Sequence, residues 1–109
     1  MKVIAVIPAF NESKRIEPVI KKTRKFVNEV IVVDDHSRDN TYETAKKAGA
    51  TATRLVSNMG AGFATRVGCD LAIKNKADII ITLDADGQHD PEEIPKLLKT
   101  LQEYNLDIV

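Results

Sequence analysis

The sequence predicts an α/β fold, a Rossmann-like, mostly parallel sheet with helices on both faces, and three observations carry that prediction. Short, uncharged, β-branched runs recur along the chain, as in Val3-Ile4-Ala5-Val6-Ile7, Val30-Ile31-Val32-Val33 and Ile79-Ile80-Ile81. Such runs read as strands buried on both faces, because a half-exposed strand would alternate apolar and polar residues. Helix-patterned stretches of ordinary length separate them, as parallel crossovers require. Each run also ends in a polar loop, and open α/β sheets hold ligands beyond the carboxyl ends of their strands.

The first strand is Lys2 to Ile7, stopped by Pro8, and Pro8-Ala9-Phe10-Asn11-Glu12-Ser13 is the loop that follows. A helix is expected from about Ile16 to Phe26, with Pro18 tolerated near its first turn. Glu29 to Val33 is the second strand and runs straight into Asp34-Asp35-His36-Ser37-Arg38-Asp39-Asn40-Thr41. Asn40 with Glu43 three residues on resembles a capping box, so a second helix starts there and ends at Gly49. Thr51 to Val56 is a third, shorter strand. Asn58-Met59-Gly60-Ala61-Gly62 then leads into a long helix with Phe63, Ala64, Val67, Leu71 and Ala72 on one broad face. The fourth strand, Ile79 to Leu83, is followed by Asp84-Ala85-Asp86-Gly87-Gln88-His89-Asp90. Asp90 is placed to cap a helix that opens with Pro91, Glu92 and Glu93. Leu106 to Val109 begins a fifth strand.

At 109 residues with a formal net charge of zero, the chain is one domain whose charge gives no argument for nucleic acid or an anionic membrane as partner. The single Cys69 excludes an internal disulfide and fits a reducing, cytoplasmic setting, with packing preferred over reactivity. No apolar run approaches the roughly 20 residues of a membrane-spanning helix, and Met1-Lys2 leads into a strand instead of a signal peptide. Because the chain stops inside an apolar strand, it is expected to be the amino-terminal part of a longer protein.

Three acidic loops follow three strands: Glu12 after the first, Asp34 and Asp35 after the second, Asp84 and Asp86 after the fourth. A parallel sheet gathers them along one edge, an accumulation of negative charge that a cation or hydrogen-bond donors must offset. Asp84 and Asp86 either cap the next turn or turn toward one hard cation that keeps places for water and substrate phosphate, and the coincidence of three such loops favours the cation. Gln88 offers a third oxygen, and Gly87 allows the bend. Donors of a nucleotide base or ribose could meet the remaining carboxylates, and the Asn58 loop with its helix start, or Arg66, could meet an anion. Asp34 is either a site residue or a turn former, and Asp39 either a site residue or a helix cap. His89 is either a ligand or a hydrogen-bonded loop residue, and His36 is expected to be exposed. The basic residues Lys21, Lys22, Arg24 and Lys25 read as a solvated helix face. Gly60 and Gly62 follow the third strand, whereas a dinucleotide fingerprint follows the first.

Four motifs, in order, carry a resemblance. They are Ile7-Pro8-Ala9-Phe10-Asn11-Glu12, Val33-Asp34-Asp35-His36-Ser37-Arg38-Asp39-Asn40-Thr41, Asn58-x-Gly60-x-Gly62 continuing to Gly68, and Leu83-Asp84-Ala85-Asp86-Gly87-Gln88-His89-Asp90-Pro91. Together they resemble the amino-terminal, nucleotide-binding half of family 2 glycosyltransferases of the GT-A fold, most of all dolichyl-phosphate mannose synthases and related polyprenyl-phosphate glycosyltransferases. By that resemblance Pro8, Phe10, Glu12, Val33, Asp35 and Asp84 line the nucleotide site, with Asp35 as the expected base contact. Asp84, Asp86 and Gln88 hold Mg²⁺ or Mn²⁺ against the diphosphate. The implied reaction moves a hexose such as mannose from a nucleoside-diphosphate sugar, of the GDP-mannose or UDP-glucose type, to a polyprenyl phosphate with inversion. An enzyme of that kind would work at the cytoplasmic membrane face. Many relatives carry a basic residue between the two glycines, where this chain has Ala61. The acceptor-binding half and its catalytic groups lie outside these 109 residues.

Two rivals come from other classes. Ile80-Ile81-Thr82-Leu83-Asp84-Ala85-Asp86-Gly87 also looks like the first motif of haloacid-dehalogenase-type phosphatases, but those place it on their first strand and follow the glycine with Thr or Val. The other rival is a nucleotide-binding module or inactive half-domain without catalysis, pairing its unfinished sheet edge with a second copy.

Overall fold

A computed structural model of the chain describes residues 1–87 and 90–104. In order it contains β1 (Val3–Ala9), α1 (Ile16–Thr23), β2 (Glu29–Asp34), α2 (Thr41–Lys47), β3 (Thr51–Arg54), α3 (Ala61–Lys74), β4 (Ile79–Thr82), a single 3-10 turn (Pro91–Glu93) and α4 (Ile94–Tyr104). The four strands form one parallel sheet in the order β3-β2-β1-β4. The chain therefore winds outward from β1 to β3, then crosses back through α3 to place β4 on the other side of β1. That reversal is the switch point at which open α/β sheets bind ligands.

Two apolar layers sandwich the sheet, and the pleat sorts residues between them. Val3, Ala5, Ile7 and Ala9 of β1 pack with Ile16, Val19 and Ile20 of α1, Ala45 of α2 and Ile94 of α4. Ile4 and Val6 face the other way, with Ile31, Val33, Ala64 and Ala72 under α3. Ile4, Ile7, Ile16, Ile20 and Ile31 are fully buried, each contributing about 1.5–3 kcal/mol of apolar transfer. The exposed Lys21–Glu17 pair, by contrast, is of a kind that contributes about 0.3–0.5 kcal/mol. Burial decides the stability of this fold.

Helix α3 lies close on the sheet because of Gly68. A Cβ there would stand 2.3 Å from Val6 Cγ1 and 3.2 Å from Val33 Cγ2.

Several boundaries differ from the sequence expectation. β1 does not stop at Pro8 but continues to Ala9. Val6 C=O accepts the Leu83 N–H, while Ala9 C=O accepts the Asp35 N–H, so alternate residues of β1 serve opposite neighbours. The donor that proline lacks would have faced β4, whose pairing with β1 ends at Val6–Thr82, and β2 continues to pair with β1 on the other side. Helix α1 ends at Thr23, three residues early, because its last turn tightens to i→i−3 bonds from Lys25 and Phe26. β3 ends at Arg54, and Val56, expected in that strand, is 94% exposed. Phe63, expected on the packed face of α3, is 45% exposed. The Asn40 side chain makes no cap bond to α2, and Asp39 takes that place. Gln88, His89 and the fifth strand expected over Leu106 to Val109 lie outside the described residues. Among the described residues, no helix is long and apolar enough to cross a membrane.

Candidate functional site

The loops after β1 and β2 are stitched together by four hydrogen bonds. Asn11 N–H donates to Ser37 Oγ at 2.8 Å, and Asn11 Oδ1 accepts the Arg38 N–H at 2.9 Å. Glu12 N–H donates to Thr41 Oγ1 at 2.9 Å, and Ser13 N–H to Asp39 Oδ2 at 3.3 Å. Asn11 adopts φ 54°, a left-handed conformation that asparagine tolerates better than most residues. The bend lets both its backbone and its side chain reach the second loop.

The carboxylates of these loops are offset within the protein. Asp34 is 1% exposed, accepts the backbone N–H of Ser37 at 3.1 Å and its hydroxyl, and lies 3.6 Å from Arg54 Nε. Of the two readings of Asp34, the turn former is the one built. Asp39 accepts the N–H of Thr41 at 3.0 Å and its hydroxyl as well, so it caps α2 while also holding the first loop. Burial works to raise the Asp39 carboxyl, but the bonds from Thr41 and Ser13 together hold it below the usual carboxylate value. Glu12 Oε2 lies 2.9 Å from Arg15 Nε, an ion pair without hydrogen-bond alignment. The charge argument for a cation therefore no longer draws on the first two loops.

Pro8, Phe10 and Asp35 come together with Ala9, Asn58, Gly60 and Ala61 around a cleft of about 320 Å³. Phe10 is 44% exposed at its rim. Asp35 is buried and accepts two backbone N–H groups, from Met59 at 2.7 Å and Gly60 at 2.9 Å. The cleft thus joins the ends of β1 and β2 to the start of α3, which has no side-chain cap.

Asp84 and Asp86 leave the end of β4, where Leu83 and Ala85 between and before them are buried. Asp84 is exposed and Asp86 half-buried. Asp86 lines a second cleft of about 360 Å³ between α1 and the loop after β4, which Arg15 and Lys22 also line. Among the described residues, no three His, Cys, Asp or Glu side chains gather closely enough to form a metal cage. Mg²⁺ does not need one, since it is usually held by one or two carboxylates with water and substrate phosphate. Asp84 and Asp86, one residue apart after a strand end, fit that pattern.

Of the residues expected at the site, Val33 is not brought to a cleft: it is fully buried beneath α3. Glu12 lies in the first loop, tied to Thr41 and Arg15, and is not among the residues lining the Pro8–Phe10–Asp35 cleft, and Gln88 lies outside the described residues. His36 is exposed as expected, with Nδ1 3.1 Å from Leu55 C=O, and Arg66 is exposed one turn into α3. Burial, with Asp70 adding to it, pushes the Cys69 thiol up, in keeping with packing over reactivity. Sequence reasoning missed Asn11, Ser37, Thr41 and Arg54 as the frame of the site. The Asp34-x-x-Ser37 spacing, which suits a side-chain-closed turn, was the available signal for one of them.

The model described as Glycosyl transferase family 2 matches residues 4–109. The chain is 34% identical to UDP-N-acetylglucosamine–dolichyl-phosphate N-acetylglucosaminyltransferase of Methanococcus voltae, over 88% of this chain and 45% of that protein. It is 31% identical to undecaprenyl-phosphate mannosyltransferase of Micrococcus luteus, over 99% of this chain and 47% of that protein. Among solved structures, glucosyl-3-phosphoglycerate synthase from Mycobacterium tuberculosis in complex with Mn²⁺ and UDP-glucose superposes with a TM-score of 0.73 at 30% identity, covering 92% of this chain and 39% of that one. The same enzyme is also known with Mg²⁺ and UDP. The chain spans 33 to 49% of the length of eight curated relatives it matches. With the family pattern running from residue 4 to residue 109 over a GT-A-type sheet, the chain belongs to the family 2 glycosyltransferases.

Proposed function

We propose that the chain is the donor-binding part of a metal-dependent, inverting hexosyltransferase that moves a hexose such as mannose from a nucleoside-diphosphate sugar to a polyprenyl (dolichyl) phosphate at the cytoplasmic membrane face. The observation that carries this reading is the placement of the Pro8–Phe10–Asp35 cleft and the Asp84–Asp86 pair along the same sheet edge, on β1, β2 and β4. Base and ribose enter the first. The diphosphate is directed toward the second.

Pro8 and Phe10 give the base an apolar seat, while Asp35 and Asn58 supply polar atoms at its edge. Glu12, on the loop after β1 and anchored through its backbone to Thr41, meets the ribose in this reading. Asp84 and Asp86 hold Mg²⁺ or Mn²⁺, with Gln88 as the third oxygen. When bound, such an ion neutralises charge developing on the leaving diphosphate, a Lewis-acid contribution of several kcal/mol in general. The named relatives of Methanococcus voltae and Micrococcus luteus support a polyprenyl-phosphate acceptor. The metal complexes of the mycobacterial synthase support the ion.

Calorimetric titration of GDP, UDP, GDP-mannose and UDP-glucose into the chain, with and without Mn²⁺, tests the reading. Metal-dependent binding of one nucleotide is expected. A folded chain that binds none of the four overturns the donor-site assignment. The reading as a self-pairing half-domain has one observation in its favour: among the described residues β4 has a strand on one side only. Light scattering that gives the mass of a single chain at high concentration counts against it.

A further inference from the structure

We propose that Asp35 is a positioning residue: its carboxylate holds the Asn58–Met59–Gly60 loop in place as one wall of the cleft. The proposal rests on the reading of that cleft as the nucleotide site. The backbone of Asp35 is itself fixed, since its N–H donates to Ala9 C=O at 2.8 Å just beyond the last β1–β2 pair. The residue is 4% exposed.

From that rigid base Asp35 grips three consecutive residues. One carboxylate oxygen accepts the Met59 N–H at 2.7 Å, the other accepts the Gly60 N–H at 2.9 Å, and the main-chain carbonyl accepts Asn58 Nδ2 at 3.3 Å. Val56 is 94% and Met59 52% exposed, so apolar packing contributes little, and hydrogen bonds to an ionised acceptor are roughly twice as strong as neutral ones. Gly60 completes the arrangement with φ 95° and ψ 157°, a region almost closed to other residues. That conformation turns its N–H onto Asp35 and starts α3 in the same step.

The two amides are thereby committed to the protein. A phosphate could take them only by displacing a buried carboxylate, so the loop acts on the nucleotide through its shape, not as an anion cradle. Asp35 therefore acts on nucleotide affinity through the loop as well as at the edge of the base.

Amide hydrogen exchange on the chain and on Asp35→Asn, Asp35→Ala and Gly60→Ala, alongside titration of UDP and GDP with Mn²⁺, tests this. In Asp35→Ala, exchange at Met59 and Gly60 is expected to rise by about tenfold or more, as for loss of a charge-assisted bond, while Val6 and Val32 in the sheet stay protected. Asp35→Asn, which keeps one acceptor oxygen, falls between. Gly60→Ala, which leaves the carboxylate untouched, is expected to loosen the Met59 amide and weaken nucleotide binding too. Unchanged exchange at Met59 and Gly60 in both Asp35 variants overturns the proposal. So does full affinity in a Gly60→Ala chain whose loop has opened. A wild-type chain that binds neither nucleotide refutes the donor-site reading, and the exchange pattern still decides whether Asp35 holds the loop.

Discussion

The backbone N–H of Glu12 donates to the hydroxyl of Thr41 at 2.9 Å, across 29 residues of sequence. That hydroxyl in turn donates to the Asp39 carboxylate, so a single fully buried threonine joins the loop after β1 to the start of α2.

Thr41→Val keeps the shape of the side chain and removes both bonds. Leaving the Glu12 N–H without its acceptor is expected to cost about 1–3 kcal/mol, read as a lower denaturant midpoint at unchanged m-value. Thr41→Ser, which retains the hydroxyl, is expected to recover most of the loss.

Acid should loosen the same junction in a defined direction. The folded-state pKa of Asp39 lies below its ordinary value of 3.8. The ionised form therefore contributes stability that is fully present above that ordinary value and is lost as pH falls through the lower folded value. Stability measured against pH for wild type and Asp39→Asn is expected to differ by a constant above pH 4, and the two curves are expected to converge in more acidic solution.

At the contact between α3 and the sheet, Gly68→Ala would drive a methyl to 2.3 Å from Val6 Cγ1. Overpacking of this kind costs about 1–3 kcal/mol. Val6→Ala in the same chain is expected to relieve part of it, because the clashing atom is removed, and a double-mutant cycle in denaturant measures the coupling.

For Asp86→Asn, a fall of about tenfold or more in Mn²⁺-dependent nucleotide affinity is expected, since even partners that only support a metal ligand typically contribute about 10–100-fold. Titration without metal is expected to give the same weak binding for variant and wild type. Equal loss in both conditions would place Asp86 outside the metal site.

Much of the fold was readable because its signals are local. Uninterrupted β-branched runs announced β1, β2 and β4, and Asp90 before Pro91 announced the turn that it caps at Glu92. Errors fell where two local rules competed and a distant contact chose between them. Asn40 and Glu43 looked like a capping box, but Asp39 is tied to Ser13 across the chain and takes the role. Val56 looked like strand and is turned outward, because the chain leaves the sheet once Leu55 N–H has reached Asp34 C=O. At the site, residue types revealed the acidic loops but not how they are balanced. That Asp34 meets Arg54, and that Asp35 meets the amides of Met59 and Gly60, depends on strand order, which spacing along the chain does not encode.

Pro8 shows how a missing donor can shape a cavity. The next rung between β1 and β4 would run from the Pro8 nitrogen to the Leu83 carbonyl, and proline has no hydrogen to offer. The two strands unzip at that rung like a seam cut to length, and the chain beyond Leu83 is released from the sheet plane with Asp84 and Asp86 on it. The end of the β1–β4 pairing, beside the Pro8–Phe10–Asp35 cleft, is thus written into the backbone by one ring. A residue with an N–H at position 8 would let the seam run on, drawing the acidic loop back toward the sheet.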